Sequence, residues 1–205
     1  MKTSASLAVL ALALPLMLGG CVSLFPKAKP VQMYRFGDLV PTAAAAPAAV
    51  PVTVLHGPTT FAPASAGDRI LTSTGTENAY IGGARWVAPA QTLFEAALLK
   101  AFDAPGAPRL VERGEPLSAA STLRLDVRTF EARYPGPTAT VQVRAVLIRN
   151  ADRALIAEKM FSAAVPAGDN RQVPIVAAFD GAVGQVLSGV RDWTAVNAPP
   201  LPPSR

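Results

Sequence analysis

The residue with the clearest chemistry is Cys21, the only cysteine of the 205-residue chain. It follows Leu18, Gly19 and Gly20, which close an apolar stretch over residues 7–18. That stretch is too short to cross a bilayer, and Lys2 gives it a positive start, which is typical of a secretory signal. A leucine three positions before the cysteine and a glycine directly before it suit a lipoprotein signal peptidase. The pattern therefore predicts a thioether between Cys21 and a diglyceride.

Lipidation predicts an anchored mature protein. Cleavage after Gly20 leaves 185 residues, enough for one domain with a sizeable core. Two or three acyl chains such as palmitate would hold Cys21 in a membrane stably, whereas a single chain binds only marginally. Val22 stands where an aspartate would retain a lipoprotein at the inner membrane, which favours the periplasmic face of the outer membrane. The alternative is an ordinary signal peptide with a chance cysteine nearby.

Side chains suited to catalysis are scarce in the chain. His56 is the only histidine, and neither a Ser-x-x-Lys nor a Gly-x-Ser-x-Gly motif supplies a nucleophile. One histidine and no second cysteine argue against a zinc site. Gly82-Gly83 leads into Ala84 at a spacing that fits neither a P-loop nor a dinucleotide fingerprint. We therefore expect no metal, no cofactor and no ATPase activity.

Paired carboxylates could still act as acid and base, as they do in glycosidases. The candidates are Asp126, Glu131, Glu158 and Asp180. Asp126 lies between Arg124 and Arg128 on the polar side of an alternating strand pattern, so cross-strand ion pairing explains it better than catalysis. The prediction is that the chain is not an enzyme.

The remaining candidates are two tryptophans and the basic residues. Trp86 precedes a predicted helix and Trp193 closes another, so each either packs a helix against the sheet or contacts a partner. The formal net charge of +5 is scattered, with no basic run interleaved with aromatic residues, which argues against nucleic-acid binding. Lys27, Lys29 and Arg35 follow the anchor, where they either face anionic headgroups or are simply solvated.

Hydrophobic periodicity predicts the elements that position these residues. Strands are expected at residues 34–36, 52–56, 69–72, 76–80, 122–134, 138–149 and 154–165, and helices at 89–102 and 172–193. Residues 41–51, rich in alanine and proline, are expected to form a loop or an insertion. This order is typical of an α/β sandwich, a single domain with a mixed, largely antiparallel sheet packed with two main helices. The predicted organisation is a signal peptide (1–20), a lipidated N-terminus and tether (21–32), the domain (33–196) and a proline-rich tail (197–205).

Several short motifs occur in an order that a known family would show. They are Tyr34-Arg35-Phe36, Asp68-Arg69-Ile70, Trp86-Val87-Ala88-Pro89 followed by Leu93 and Leu98, and the strand with Leu123, Leu125, Val127 and Phe130. Over roughly residues 33–196 the chain resembles the ABC-type transport auxiliary lipoprotein family, which includes the lipoprotein of the paraquat-inducible system.

That resemblance implies a function outside catalysis. It implies an auxiliary lipoprotein of an MCE-type ABC transport system for lipid trafficking across the periplasm, which acts as a docking and assembly component. The implied partners are an MCE-domain protein, the ABC transporter subunits and further copies of the chain in a ring. The family offers no catalytic residues to transfer.

Two other functions stay open from the residues themselves. Val146 and Ile148 are apolar on the strand face opposite Val143 and Ala145, so both faces of this strand need to be shielded from water. Either a second helix layer covers them, or the chain is a periplasmic lipid-binding lipoprotein module that encloses an apolar ligand. A hydrolase with His56 as its base is the third alternative.

Overall fold

The computed structural model describes residues 30–37 and 52–201, and in these it has eight strands and three helices. The strands are β1 (Gln32–Tyr34), β2 (Thr53–Phe61), β3 (Arg69–Thr74), β4 (Glu77–Trp86), β5 (Arg109–Val111), β6 (Ser121–Tyr134), β7 (Thr138–Arg149) and β8 (Leu155–Pro166). The helices are α1 (Pro63–Ala66), α2 (Ala90–Phe102) and α3 (Gln172–Asn197).

All eight strands belong to one sheet organised around β6. One edge of β6 pairs antiparallel with β7 along nearly its whole length, and β7 pairs antiparallel with β8. The other edge is divided, because β2 runs parallel to the first half of β6 and β3 parallel to its second half. Beyond them, β5 extends β2, while β4 and then β1 extend β3. The predicted mixed sheet in a single α/β domain is confirmed.

The long strand β6 shows how the sequence sets its two faces. Leu123, Leu125 and Val127 are buried, while Arg124 and Arg128 are exposed, as the alternation predicts. The β6–β7 register then shifts between Val127 and Thr129. A bulge at this point adds one residue and reverses the alternation, so that Phe130 and Ala132 continue the buried face.

Helices α2 and α3 pack on the same face of the sheet and share one hydrophobic core with it. The ring of Phe130 links the two helices. Its centroid lies 4.9 Å from that of Phe179 in α3 and 5.7 Å from that of Phe61. Phe61 in turn contacts Phe94 of α2. By length and composition α3 could also cross a membrane, but half of its most apolar window is buried inside the domain. Its burial is that of a core helix.

The region between residues 52 and 67 contains elements that the sequence analysis did not predict. β2 continues past His56 to Phe61, with a register shift at Gly57 and Pro58. A Cβ on Gly57 would lie 2.7 Å from the carbonyl oxygen of Leu123, so glycine allows β2 to approach β6 there. One-turn α1 then carries the chain from the first half of β6 to the second. The predicted loop at residues 41–51 lies outside the described residues.

Candidate functional site

His56 lies in β2 and is half-buried. Its Nε2 atom is 3.4 Å from Oγ1 of Thr59, a hydroxyl on the same strand. A catalytic imidazole is normally held by a carboxylate and placed beside a nucleophile. This contact therefore fits a histidine at a strand bulge, and it gives no support to a hydrolase.

The acid candidates on the long strands are held in surface pairs. Asp126 accepts hydrogen bonds from Oγ1 of Thr60 and from Nε of Arg128, both at 3.1 Å. Glu158 of β8 pairs with Arg144 of β7, and Arg144 lies opposite Asp126 in the β6–β7 register. These carboxylates thus alternate with arginines across three strands, which agrees with the cross-strand interpretation.

The other two acids have structural partners. Glu131 accepts a hydrogen bond from Nε of Arg133 at 2.8 Å. Asp180 of α3 accepts one from the backbone N–H of Gly37 at 2.7 Å. Within the described parts of the chain, no group of three His, Cys, Asp or Glu side chains is placed to hold a metal ion.

Two further acids have shifted pKa values, and both lie in loops. The side chain of Arg171 donates to Asp169 and lowers the pKa of that carboxyl. In the β7–β8 turn, the backbone N–H of Ala154 donates to Asp152 and lowers its pKa in the same direction. These contacts order two turns and lie away from the paired carboxylates on the strands.

The strongest candidate for an interaction site is the face of β6, β7 and β8 that is turned away from α2 and α3, which we call the outer face. Its exposed apolar side chains include Leu155 and Met160. A concavity of about 440 Å³ opens on it and is lined by Pro58, Thr60, Arg124, Leu125, Asp126, Arg144, Val146, Leu155 and Glu158. Exposed apolar side chains rimmed by polar residues are typical of protein-binding surfaces.

The sequence analysis singled out Val146 on this face, but neither Leu155 nor Met160. Leu155, Ile156 and Ala157 are apolar in succession, so β8 lacks the clean alternation that would have shown which side chains face outward. Within residues 30–37 and 52–201, neither long helix packs on the outer face, so a second helix layer, one of the two alternatives for covering Val146 and Ile148, is not found there.

The two tryptophans differ in environment. Trp86 is 1% exposed, and its ring packs edge-on against Phe36 at 5.0 Å and Phe179 at 5.4 Å. An indole so deeply buried has no surface for a partner, so the structure places Trp86 in packing and not in partner contact. Trp193 is only partly buried and packs against Phe161 at 5.9 Å. This partial burial is compatible with both roles considered for Trp193, helix packing and partner contact.

The lipidation motif, Leu18-Gly19-Gly20 with Cys21, lies outside the described residues, and its processing stays a prediction. The structure brings Asp126 and Glu158 to one concavity, while His56 and Asp180 have separate partners elsewhere.

Comparisons with known proteins show which family the chain belongs to. A crystal structure of a Xanthomonas campestris protein of the DUF330 family has 27% sequence identity and a TM-score of 0.68, and the match covers 80% of this chain and 95% of that one. A Chlamydia trachomatis hypothetical protein, 9% identical, shows the same fold with a TM-score of 0.53 over 72% of this chain and 98% of its own. Among curated proteins none matches. The family model described as "ABC-type transport auxiliary lipoprotein component" matches residues 34–190, and the chain therefore belongs to the ABC-type transport auxiliary lipoprotein family.

Proposed function

We propose that this lipoprotein is a docking and assembly component of an MCE-type ABC transport system for lipid trafficking across the periplasm. Membership in an auxiliary transport family supports association with an ABC system rather than catalysis. The observation that carries the docking role is the outer face, where Leu155 and Met160 lie exposed beside the Arg144–Glu158 pair. This face would bind an MCE-domain protein or a neighbouring copy in a ring.

The anchor completes the proposal. Lipid on Cys21 would hold the domain at the periplasmic face of the outer membrane, and the other transporter subunits would provide ATP hydrolysis and the lipid path. The outer face would then be part of a platform that the anchor holds at the membrane.

Direct lipid binding, the alternative, has weaker support from the same geometry. The inner face of β7 is filled by buried side chains that pack against α3, including Val143 and Leu147. On the outer face, the concavity beside Val146 is lined by two arginines and two acids. An acyl chain is best covered by continuous apolar walls, and desolvating these charges would oppose its binding.

The proposal is tested by photocrosslinking in cells. A photoreactive phenylalanine replaces Met160 of the full-length lipoprotein, and the matched control carries it at Leu117, because the two side chains are 44% and 42% exposed. We expect crosslinks from position 160, and not from 117, to an MCE-domain protein or to a second copy.

An abundant, membrane-bound protein that gives neither crosslink at position 160 would overturn the proposal. Native mass spectrometry of the delipidated domain separates the alternative, since stoichiometric phospholipid would support direct lipid binding.

A further inference from the structure

The strand that follows the predicted anchor presents apolar side chains to solvent. β1 forms the edge of the sheet opposite β8. Phe36 is buried in the core and Tyr34 packs against it, so alternation turns Val31, Met33 and Arg35 to the other side. Met33 is 56% exposed and Val31 is also exposed.

The neighbouring strand adds to this surface. Met33 pairs with Arg85 of β4, and the backbone N–H of Val87 donates to the carbonyl of Tyr34 at 2.7 Å. Trp86 between them points into the core, so Arg85 and Val87 lie on the same side as Met33. Val87 is exposed.

The same surface is basic. Arg69 of β3 lies opposite Arg85 in the β3–β4 register, with its guanidinium 3.7 Å from the ring centroid of Tyr80. Arg85 pairs with Asp68 at 2.7 Å. We name this surface the entry face, and it consists of Val31, Met33, Arg35, Asp68, Arg69, Arg85 and Val87. The acid of this surface, Asp68, is matched by Arg85, and Arg69 adds a further positive charge.

Chain length limits how far the entry face can lie from the lipid. Only ten residues separate Cys21 from Gln32, and even fully extended they span at most about 35 Å. Lys27 and Lys29 fall within this stretch and add positive charge. Apolar side chains flanked by arginine and lysine are typical of surfaces that bind anionic lipid headgroups.

We propose that the entry face lies against the bilayer, with Val31, Met33 and Val87 at the level of the headgroups and the arginines beside lipid phosphates. The inference rests on the proposed lipidation of Cys21. A second contact of this kind orients the domain on its anchor, and it turns the β8 edge of the sheet away from the membrane.

The experiment uses the full lipidated chain in vesicles of phosphatidylethanolamine and phosphatidylglycerol. Because lipidation consumes the thiol of Cys21, Met33→Cys would supply a single site for an environment-sensitive fluorophore. The matched control is Leu155→Cys at the opposite edge, where the native side chain is 59% exposed. We expect doxyl-labelled lipids to quench the probe at position 33 at least threefold more strongly than the probe at position 155, and omission of phosphatidylglycerol to reduce the difference.

Vesicle flotation separates the possible failures. If both labelled proteins float with the vesicles and quenching is equal at the two positions, the orientation is refuted while the anchor stands. If neither protein floats, the anchor itself is refuted and the inference falls with it. If a soluble partner protein protects position 33 while lipids do not quench it, the entry face is a protein interface and the proposal is overturned.

Discussion

Removal of the Trp86 side chain tests the packing at the centre of the domain. The indole is buried against Phe36 and Phe179, with Phe130 6.3 Å away, so its removal leaves a cavity between the sheet and α3. Large aromatic residues replaced by alanine in a core cost about 3–5 kcal/mol. Since domains of this kind unfold with a free energy of about 5–15 kcal/mol, Trp86→Ala should lose a large part of the total.

Urea unfolding followed by circular dichroism measures this loss, in a Cys21→Ser background that removes the lipid. Trp193→Ala is the matched control, because Trp193 is partly buried and has one aromatic contact, with Phe161. We expect it to cost about 1–2 kcal/mol. The dependence of the free energy on urea should stay unchanged if only stability has changed. A loss for Trp86→Ala that is below about 1 kcal/mol, or smaller than that for Trp193→Ala, would refute the packing role.

Three further outcomes follow from other parts of the chain. Gly37→Ala should destabilise the domain by about 1–3 kcal/mol in the same urea assay, because Gly37 has φ = +90° and a Cβ there would lie 2.7 Å from Cβ of Ala97. An NMR titration should show the Asp169 carboxyl with a pKa below its ordinary value, and Arg171→Ala should raise that pKa. Because the folded pKa is depressed, the stability that this pair contributes is present above the unfolded pKa. That stability is lost as the pH falls through the folded pKa. Cys21→Ser should leave a folded domain that no longer floats with vesicles and fails to support transport, and full function in that variant would contradict the anchored platform.

The parts of the fold that sequence predicts well are those whose pattern is long. β6 alternates apolar and charged residues from Leu123 to Arg128, so the buried face of its first half could be assigned before the structure was known. The same holds for α3, whose buried residues Phe179, Val183, Val186 and Val190 recur at helical spacing. Periodicity of this kind reflects burial on one side, which is a local property of the chain.

Which strands pair with each other depends on residues far apart in the chain, and the sequence was less informative about this pairing. β5 has three residues and β1 has three, too few for a periodic signal, and both pair in parallel with strands that are distant or discontinuous in the chain. The extension of β2 through Pro58 was missed because proline normally argues against a strand interior, and the bulge there removes the conflict. For the site, composition named the candidate carboxylates, and their partners in the structure show that Asp126 and Glu158 are held in surface pairs.

The placement of β1 explains why Asp180 serves structure rather than catalysis. A three-residue ladder to β4 is weak support for the strand that joins the domain to its predicted anchor. Side-chain contacts with α3 reinforce it, because Tyr34 donates to Gln172 at 3.0 Å and the N–H of Gly37 donates to Asp180 at 2.7 Å. Between them, Phe36 inserts its ring into the aromatic core. Load applied through the predicted anchor would therefore be passed to α3, the longest helix among the described residues. The proposed platform at the membrane would need such a connection.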